Sequence, residues 1–184
     1  MSWLNGKQGN SSTHFQRVVV LLLVTIVAVT LACNGGYKIK LKKLQNCAGP
    51  NAVITANENY TVVLTKNCEI KARGCGNIKA FKTAVAKITV KKSGMQMFQG
   101  TINICEKLAA ASSNSTIGPI LRTFNIPEKC PVEAGTLCVE PTQGMSIEPY
   151  KQFLSLARGS IDVETEIQHD TGKSCFKVQV DITK

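Results

Sequence analysis

Between Ala84 and Lys91 the chain alternates without a break: Ala84, Ala86, Ile88 and Val90 interleave with Val85, Lys87, Thr89 and Lys91. A period of two places one set on the packed face and the other on the wetted face of a β-strand, and a helix cannot satisfy it. The pattern recurs along the chain. Tyr37, Ile39 and Leu41 oppose Lys38, Lys40 and Lys42, while Tyr60, Val62 and Leu64 oppose Thr61, Val63 and Thr65. Ile161, Val163, Thr165 and Ile167 oppose Asp162, Glu164 and Glu166. Ile102 and Ile104 lead into Cys105, and the stretch 168–173 turns the chain into Phe176, Val178 and Val180 with Asp170 and Gly172 at a hairpin. Helix is expected only as a turn or two over 106–111 and 119–124. The reading is one antiparallel all-β domain from about Gly36 to Lys184, with no repeat and no linker.

Ahead of it, Val18 to Ala32 form a fifteen-residue run without a charge, apolar but for Thr25 and Thr30, behind a polar segment that carries Lys7 and Arg17 and no acid. The run is shorter than the roughly 20 residues of a membrane span, and small residues follow, so residues 1–32 read as a signal peptide cleaved near Ala32. An uncleaved signal anchor is the alternative. Either leads into the secretory pathway, where Asn59 and Asn114, each in an Asn-x-Thr sequon, become glycosylation candidates.

The chain has eight cysteines and two histidines in 184 residues, with no C-x-x-C pair. That argues against zinc modules and redox motifs and for a disulfide framework, and no metal or cofactor is expected.

Removing Lys7 and Arg17 with the leader leaves 20 basic against 12 acidic residues. Residues 33–92 hold 12 of the bases and only Glu58 and Glu69 as acids. Such a half attracts anionic surfaces, with an acidic membrane as the expected partner and sulfated or sialylated glycans beside it. A solvated lysine-rich face is the plain alternative. Nucleic acid is not expected, because the lysines lack interleaved aromatic residues.

Catalytic groups are scarce. His169 is the one histidine after the leader, and it stands in the expected hairpin turn beside Asp170, where an exposed side chain is the ordinary reading and a Ser-His-Asp site the alternative. Glu164 and Glu166 share the polar face of a strand, a setting that does not raise a carboxyl pKa for acid catalysis. No enzyme activity is expected. Two segments do put apolar side chains beside Gly or Ser: Met97 and Phe98 after Ser93-Gly94, and Phe153, Leu154 and Leu156 around Ser155. They are read either as an exposed rim that touches a membrane or as buried strand ends.

From Cys105 to Lys184 the sequence resembles the ganglioside-activator proteins, the sphingolipid activators of the ML lipid-recognition group, and it is also similar to their insect chemosensory relatives. The shared elements are Cys105 opening a short helix, the segment Pro119, Leu121, Arg122, Thr123 and Phe124, Cys130-Pro131 followed by Gly135, and a closing hairpin with Gly159, Gly172 and Cys175. The resemblance implies a disulfide-stapled β-cup or sandwich with a large apolar cavity and one or two short helices. It also implies lipid binding without catalysis. It pairs Cys47 with Cys175 and Cys105 with Cys130, and makes Cys68 and Cys75 the third pair, leaving Cys33 and Cys138 over. In such a cup Val62, Leu64, Ala86, Ile88, Val163, Ile167 and Val178 line the lipid cavity.

The resulting expectation is a secreted or lysosomal lipid-binding or lipid-transfer protein that holds one glycosphingolipid, fatty acid or sterol, with a hydrolase or a receptor as its protein partner. The other reading is an extracellular chemosensory or immune accessory protein that presents a ligand to a receptor.

Overall fold

The computed structural model describes residues 33–57, 59–115, 117–140, 142 and 144–184. The expected signal peptide, 1–32, lies outside the described residues. Among the described residues ten strands follow a short 3-10 turn at Cys33–Gly35: β1 (Lys38–Asn46), β2 (Ile54–Ala56), β3 (Thr61–Leu64), β4 (Glu69–Ile78), β5 (Ala84–Lys92), β6 (Met95–Asn103), β7 (Gly135–Val139), β8 (Gly144–Ser146), β9 (Gly159–His169) and β10 (Gly172–Thr183). Among the described residues helix is confined to α1 (Ile104–Ser112), α2 (Ile117–Thr123), a 3-10 segment at Glu148–Phe153 and the single turn α3 (Leu154–Ala157). None of the described helices is long and apolar enough to cross a membrane.

The strands form an open antiparallel sheet in the order β2-β4-β3-β1-β10-β9-β5-β6, with β7 and β8 also paired to β4. The fold class is therefore all-β, as the alternation implies, and disulfide-stapled, as the cysteine count implies. The long hairpin of β9 and β10 pairs His169 with Gly172 across Asp170-Thr171, and β1 lies along the other side of β10 from Lys38↔Thr183 to Asn46↔Phe176. β4 carries the sheet round a corner. Its first half pairs with β3 and β8 and its second half with β2 and β7. Gly74 stands between the halves at φ +152°, where a Cβ would come within 2.2 Å of the Tyr60 ring, so only glycine fits this crossing.

One face of the sheet is apolar and is covered at its two ends. At one end Tyr37, Ile147, Leu154 and Ile182 pack with the Cys33 and Cys68 side chains, and Ile39, Leu64, Ile70 and Val180 close around them. At the other, Val53, Phe81, Ala84, Ala86, Val132 and Ile167 form a second cluster that Ile54, Ile78, Ile88 and Phe176 complete. Helix α1 adjoins this second end. Asn103 caps it, accepting a hydrogen bond from Glu106 N at 3.3 Å while its own amide donates to Glu106 Oε1 at 2.8 Å, a reciprocal cap.

Four disulfides pair all eight cysteines: Cys33–Cys68, Cys47–Cys175, Cys75–Cys138 and Cys105–Cys130. Two are the pairs the resemblance implies. Cys68 and Cys75 do not pair with each other. Cys68 precedes β4 and Cys75 sits in its second half, and an extended run of seven residues separates their Cα atoms by roughly 20 Å, far beyond the ~7 Å limit of a bridge. Cys75 instead meets Cys138 directly across the β4–β7 ladder, and Cys33 staples the start of the domain to Cys68.

Cys47–Cys175 spans 128 residues and joins β1 to β10 just beyond their last backbone pair, where Cys47 N donates to Cys175 O at 2.9 Å. Replacing both cysteines by alanine should lower the unfolding free energy by about 2–5 kcal/mol, read from urea denaturation of the oxidised protein.

Candidate functional site

Between the two core clusters the apolar face is neither covered nor polar. In register across five strands stand Leu44 of β1, Val178 of β10, Val163 of β9, Val90 of β5 and Phe98 of β6. Directly opposed residues share a face, so these side chains form one continuous apolar row, about 19 Å long at the usual strand spacing. All belong to neither core cluster. The four aliphatic residues are half-buried and Phe98 is 51 % exposed at the sheet edge. Gly100 makes room for that ring: a Cβ there would lie 2.6 Å from Phe98 Cζ.

The seven residues expected to line a cavity therefore divide. Val163 and Val178 lie in the row and Val62 is half-buried on β3 outside both clusters. Ala86 and Ile167, by contrast, are fully buried, and Ile88 and Leu64 pack against the clusters, so these four are filled core rather than cavity wall. Leu44 and Val90 join the row without having been expected there. Val90 was visible in the alternation. Leu44 was hidden by a β-bulge between Leu41 and Lys43, which shifts the phase by one residue and returns an even-numbered side chain to the face of Ile39 and Leu41.

A separate apolar recess of about 280 Å³ opens where β2, β4 and β7 meet, with Ile54, Tyr60, Ile78, Leu137 and Val139 in its wall. Burial raises the Tyr60 phenol pKa above its ordinary value. A charged groove of about 340 Å³ also touches Val163 and Val178, and its other walls are Lys43, Thr89, Lys91, Asp162, Glu164, Lys177 and Gln179.

The two expected rim segments meet at one end of the sheet. Lys92 Nζ donates to the carbonyl of Leu156, and Ser93 N donates to Ser160 O at 2.9 Å, which holds the β5–β6 turn against the segment that enters β9. Met97 and Phe153 are exposed and Leu156 is 70 % exposed, joined by Met95 and Tyr150 of the same two segments. Leu154 departs from the expectation: it is 6 % exposed and belongs to the first core cluster, because the 3-10 segment and α3 turn it inward. Asn59 and Asn114 are both exposed, and Asn114 Oδ1 caps α2 by accepting from Ile117 N at 3.0 Å.

His169 is not an exposed turn residue. It is the last residue of β9, 3 % exposed, with its ring centroid 4.5 Å from that of Phe81 and Nε2 2.9 Å from Ser174 Oγ. Ser174 is itself 1 % exposed and accepts from Ile54 N at 2.8 Å. Asp170 points elsewhere: its Oδ1 accepts from Lys82 N and Thr83 N, which lowers its pKa, and His169 Nδ1 has no hydrogen-bond partner among the described residues. Histidine and serine are thus brought together without the carboxylate and without access for a substrate. Glu164 is engaged with Lys177 at 2.9 Å on the polar face.

Fold and site together describe a disulfide-stapled β protein with an uncovered apolar row and an exposed apolar edge; four disulfides fit an oxidising, extracellular compartment. No family model matches the chain. It is 35 % identical over 170 residues to sporozoite-associated mosquito saliva protein 1 of Anopheles gambiae, a match that covers 91 % of this chain and 94 % of that protein. The chain belongs to the family of that saliva protein.

Burial lowers the His169 pKa, with the Asp170 charge opposing it. A histidine whose folded pKa is depressed stabilises the fold fully above its unfolded value and loses that contribution as pH falls below about 6.5. The melting temperature should therefore drop between about pH 7.5 and pH 5.5, and His169→Gln should show a smaller drop, measured by thermal unfolding in both buffers.

Proposed function

We propose that this chain is a secreted, non-enzymatic lipid-binding protein that holds one lipid with an acyl chain laid along the row Leu44–Val178–Val163–Val90–Phe98. The row carries this reading: it is a strip of apolar side chains between two completed cores, left partly open by the chain's own packing. Covering it with methylene groups supplies about 0.8 kcal/mol for each CH₂ buried, enough for a long chain to drive capture. The exposed edge of Met95, Met97, Phe98, Phe153 and Leu156 is suited to entering the outer layer of a bilayer while Lys91, Lys92, Lys151 and Arg158 stay at anionic headgroups. The buried His169 and Ser174, with no carboxylate partner among the described residues, support a binding rather than a catalytic role. The all-β fold and the Cys47–Cys175 and Cys105–Cys130 bridges agree with the ganglioside-activator resemblance, and the saliva relative favours an extracellular over a lysosomal destination.

A second reading rests on the relative's name, which records association of that protein with sporozoites: an extracellular accessory protein that binds a cell surface or a receptor.

Uptake of fluorescent fatty acid, sterol and sphingolipid separates the two. The lipid reading expects saturable binding of at least one probe, weakened about tenfold by Val163→Thr with Val178→Thr, a loss worth about 1.4 kcal/mol. No uptake by the wild-type protein, with retained binding to cells, would decide for the second. Phe153→Ser with Leu156→Ser should slow lipid transfer from phosphatidylserine vesicles and leave equilibrium affinity unchanged; unaltered transfer rates would remove the edge from the account.

A further inference from the structure

The polar face of the sheet carries two different charge patterns. Over β5, β9 and β10 opposite signs interleave. Asp162 stands between Lys91 and Gln179, Glu164 between Thr89 and Lys177, and Glu166 between Lys87 and Cys175, with Glu164 and Lys177 in contact at 2.9 Å. Over β1, β3 and β4 the pattern is nearly all basic, with Glu69 at the start of β4 as the exception. Lys38, Lys40, Lys43, Lys71 and Arg73 have no ion-pair partner among the described residues, and Lys42 alone is within ion-pair distance of an acid, Asp181 at 3.8 Å, which also stands opposite Lys40 in the β1–β10 register. Lys40 and Lys71 flank Val63 in one cross-strand row, and Arg73 faces Thr61 in the next.

Two strand spacings separate Lys40 from Lys71, so their Cα atoms lie about 10 Å apart, and lysines two residues apart along β1 lie about 7 Å apart. These separations are within a Debye length, so the like charges repel one another and raise the local potential. The face is lysine-rich, and the register places no aromatic side chain on it, so it offers no platform for stacking bases. Val63 is the one exposed large apolar residue here, whereas the side chains fit to enter a bilayer are gathered at the β5–β6 end. A spaced array of cations without stacking or insertion groups matches a flexible polymer that carries regularly repeated sulfates and carboxylates.

We propose that the polar face of β1, β3 and β4 binds sulfated glycosaminoglycan chains through Lys38, Lys40, Lys43, Lys71 and Arg73. This surface lies on the opposite side of the sheet from the apolar row, and its use does not depend on lipid binding.

The test compares two sets of substitutions that remove the same charge. One is Lys40→Gln, Lys43→Gln, Lys71→Gln and Arg73→Gln; the other is Lys87→Gln, Lys91→Gln, Lys173→Gln and Lys177→Gln on the interleaved part of the face. Binding of the secreted, oxidised protein to heparin is measured at about 0.15 M salt, with melting temperatures recorded for each variant. The first set should weaken binding about tenfold or more and flatten its salt dependence, and the second should change it less than about threefold. The pair Lys40→Gln with Lys71→Gln provides a milder variant, expected to lose about threefold, should the fourfold change unsettle the fold. Equal losses in both sets would reduce the effect to net charge and overturn the proposal. So would a wild-type protein that ignores heparin, or one that prefers phosphatidylserine vesicles to heparin through the same four residues.

Discussion

The pairing of the first strand with the last organises this molecule. β10 lies between β1 and β9, and from Phe176 to Ile182 each of its residues is paired on both sides through those two ladders. The contact is distant in sequence and costly in chain entropy, and it is held twice: by backbone pairs from Lys38↔Thr183 to Asn46↔Phe176, and by the Cys47–Cys175 bridge beyond them. Asn46 extends the same anchor sideways. Its amide donates to Ala56 O at 2.7 Å and its oxygen accepts from Ala56 N at 2.9 Å, so a side chain does for β2 what a neighbouring strand would do. Loosening this seam would remove Leu44 from Val178 and dissolve the apolar row at its first link.

The functional reading follows from how the apolar face is closed. The 3-10 segment and α3 cover one end through Leu154, and the segment from Phe81 to Ala86 with Val132 fills the other. Neither reaches the middle, where the side chains are mostly slim valines whose removal from water is left incomplete. An apolar strip of this kind is stabilised by whatever covers it, which links the packing of the fold to the proposed lipid capture. The opposite face uses its residues in the other currency, charge, and the two faces remain chemically separate because strand alternation keeps them so.

Much of the architecture was legible in the sequence. The unbroken alternation of 84–91 and 161–167 led to β5 and β9, and Asp170 and Gly172 to the hairpin of β9 and β10. What alternation could not supply was phase across irregularities. The bulge after Leu41 hid Leu44, and the one at the β5–β6 end placed Phe98 opposite Val90, turning an expected rim residue into the end of the row. Nor could it separate a cavity wall from a filled core: Ala86, Ile167 and Val163 have the same pattern, and only the segments that pack on them decide which stays open. The polar neighbours of His169 suggest a turn that begins at Gln168, although the strand runs on through both residues and buries His169 against Phe81. The third disulfide failed for a related reason, since nearness in sequence means distance in space along an extended strand.

The central claim is that the protein leaves the cell with its apolar row occupied. Mass spectrometry of lipids extracted from the natively purified secreted protein, against an unrelated secreted β protein as control, tests it most directly. The account predicts one enriched lipid class in near-stoichiometric amount. A protein that carries no lipid above the control would mean that the row is closed or wetted without a ligand, and would contradict the account.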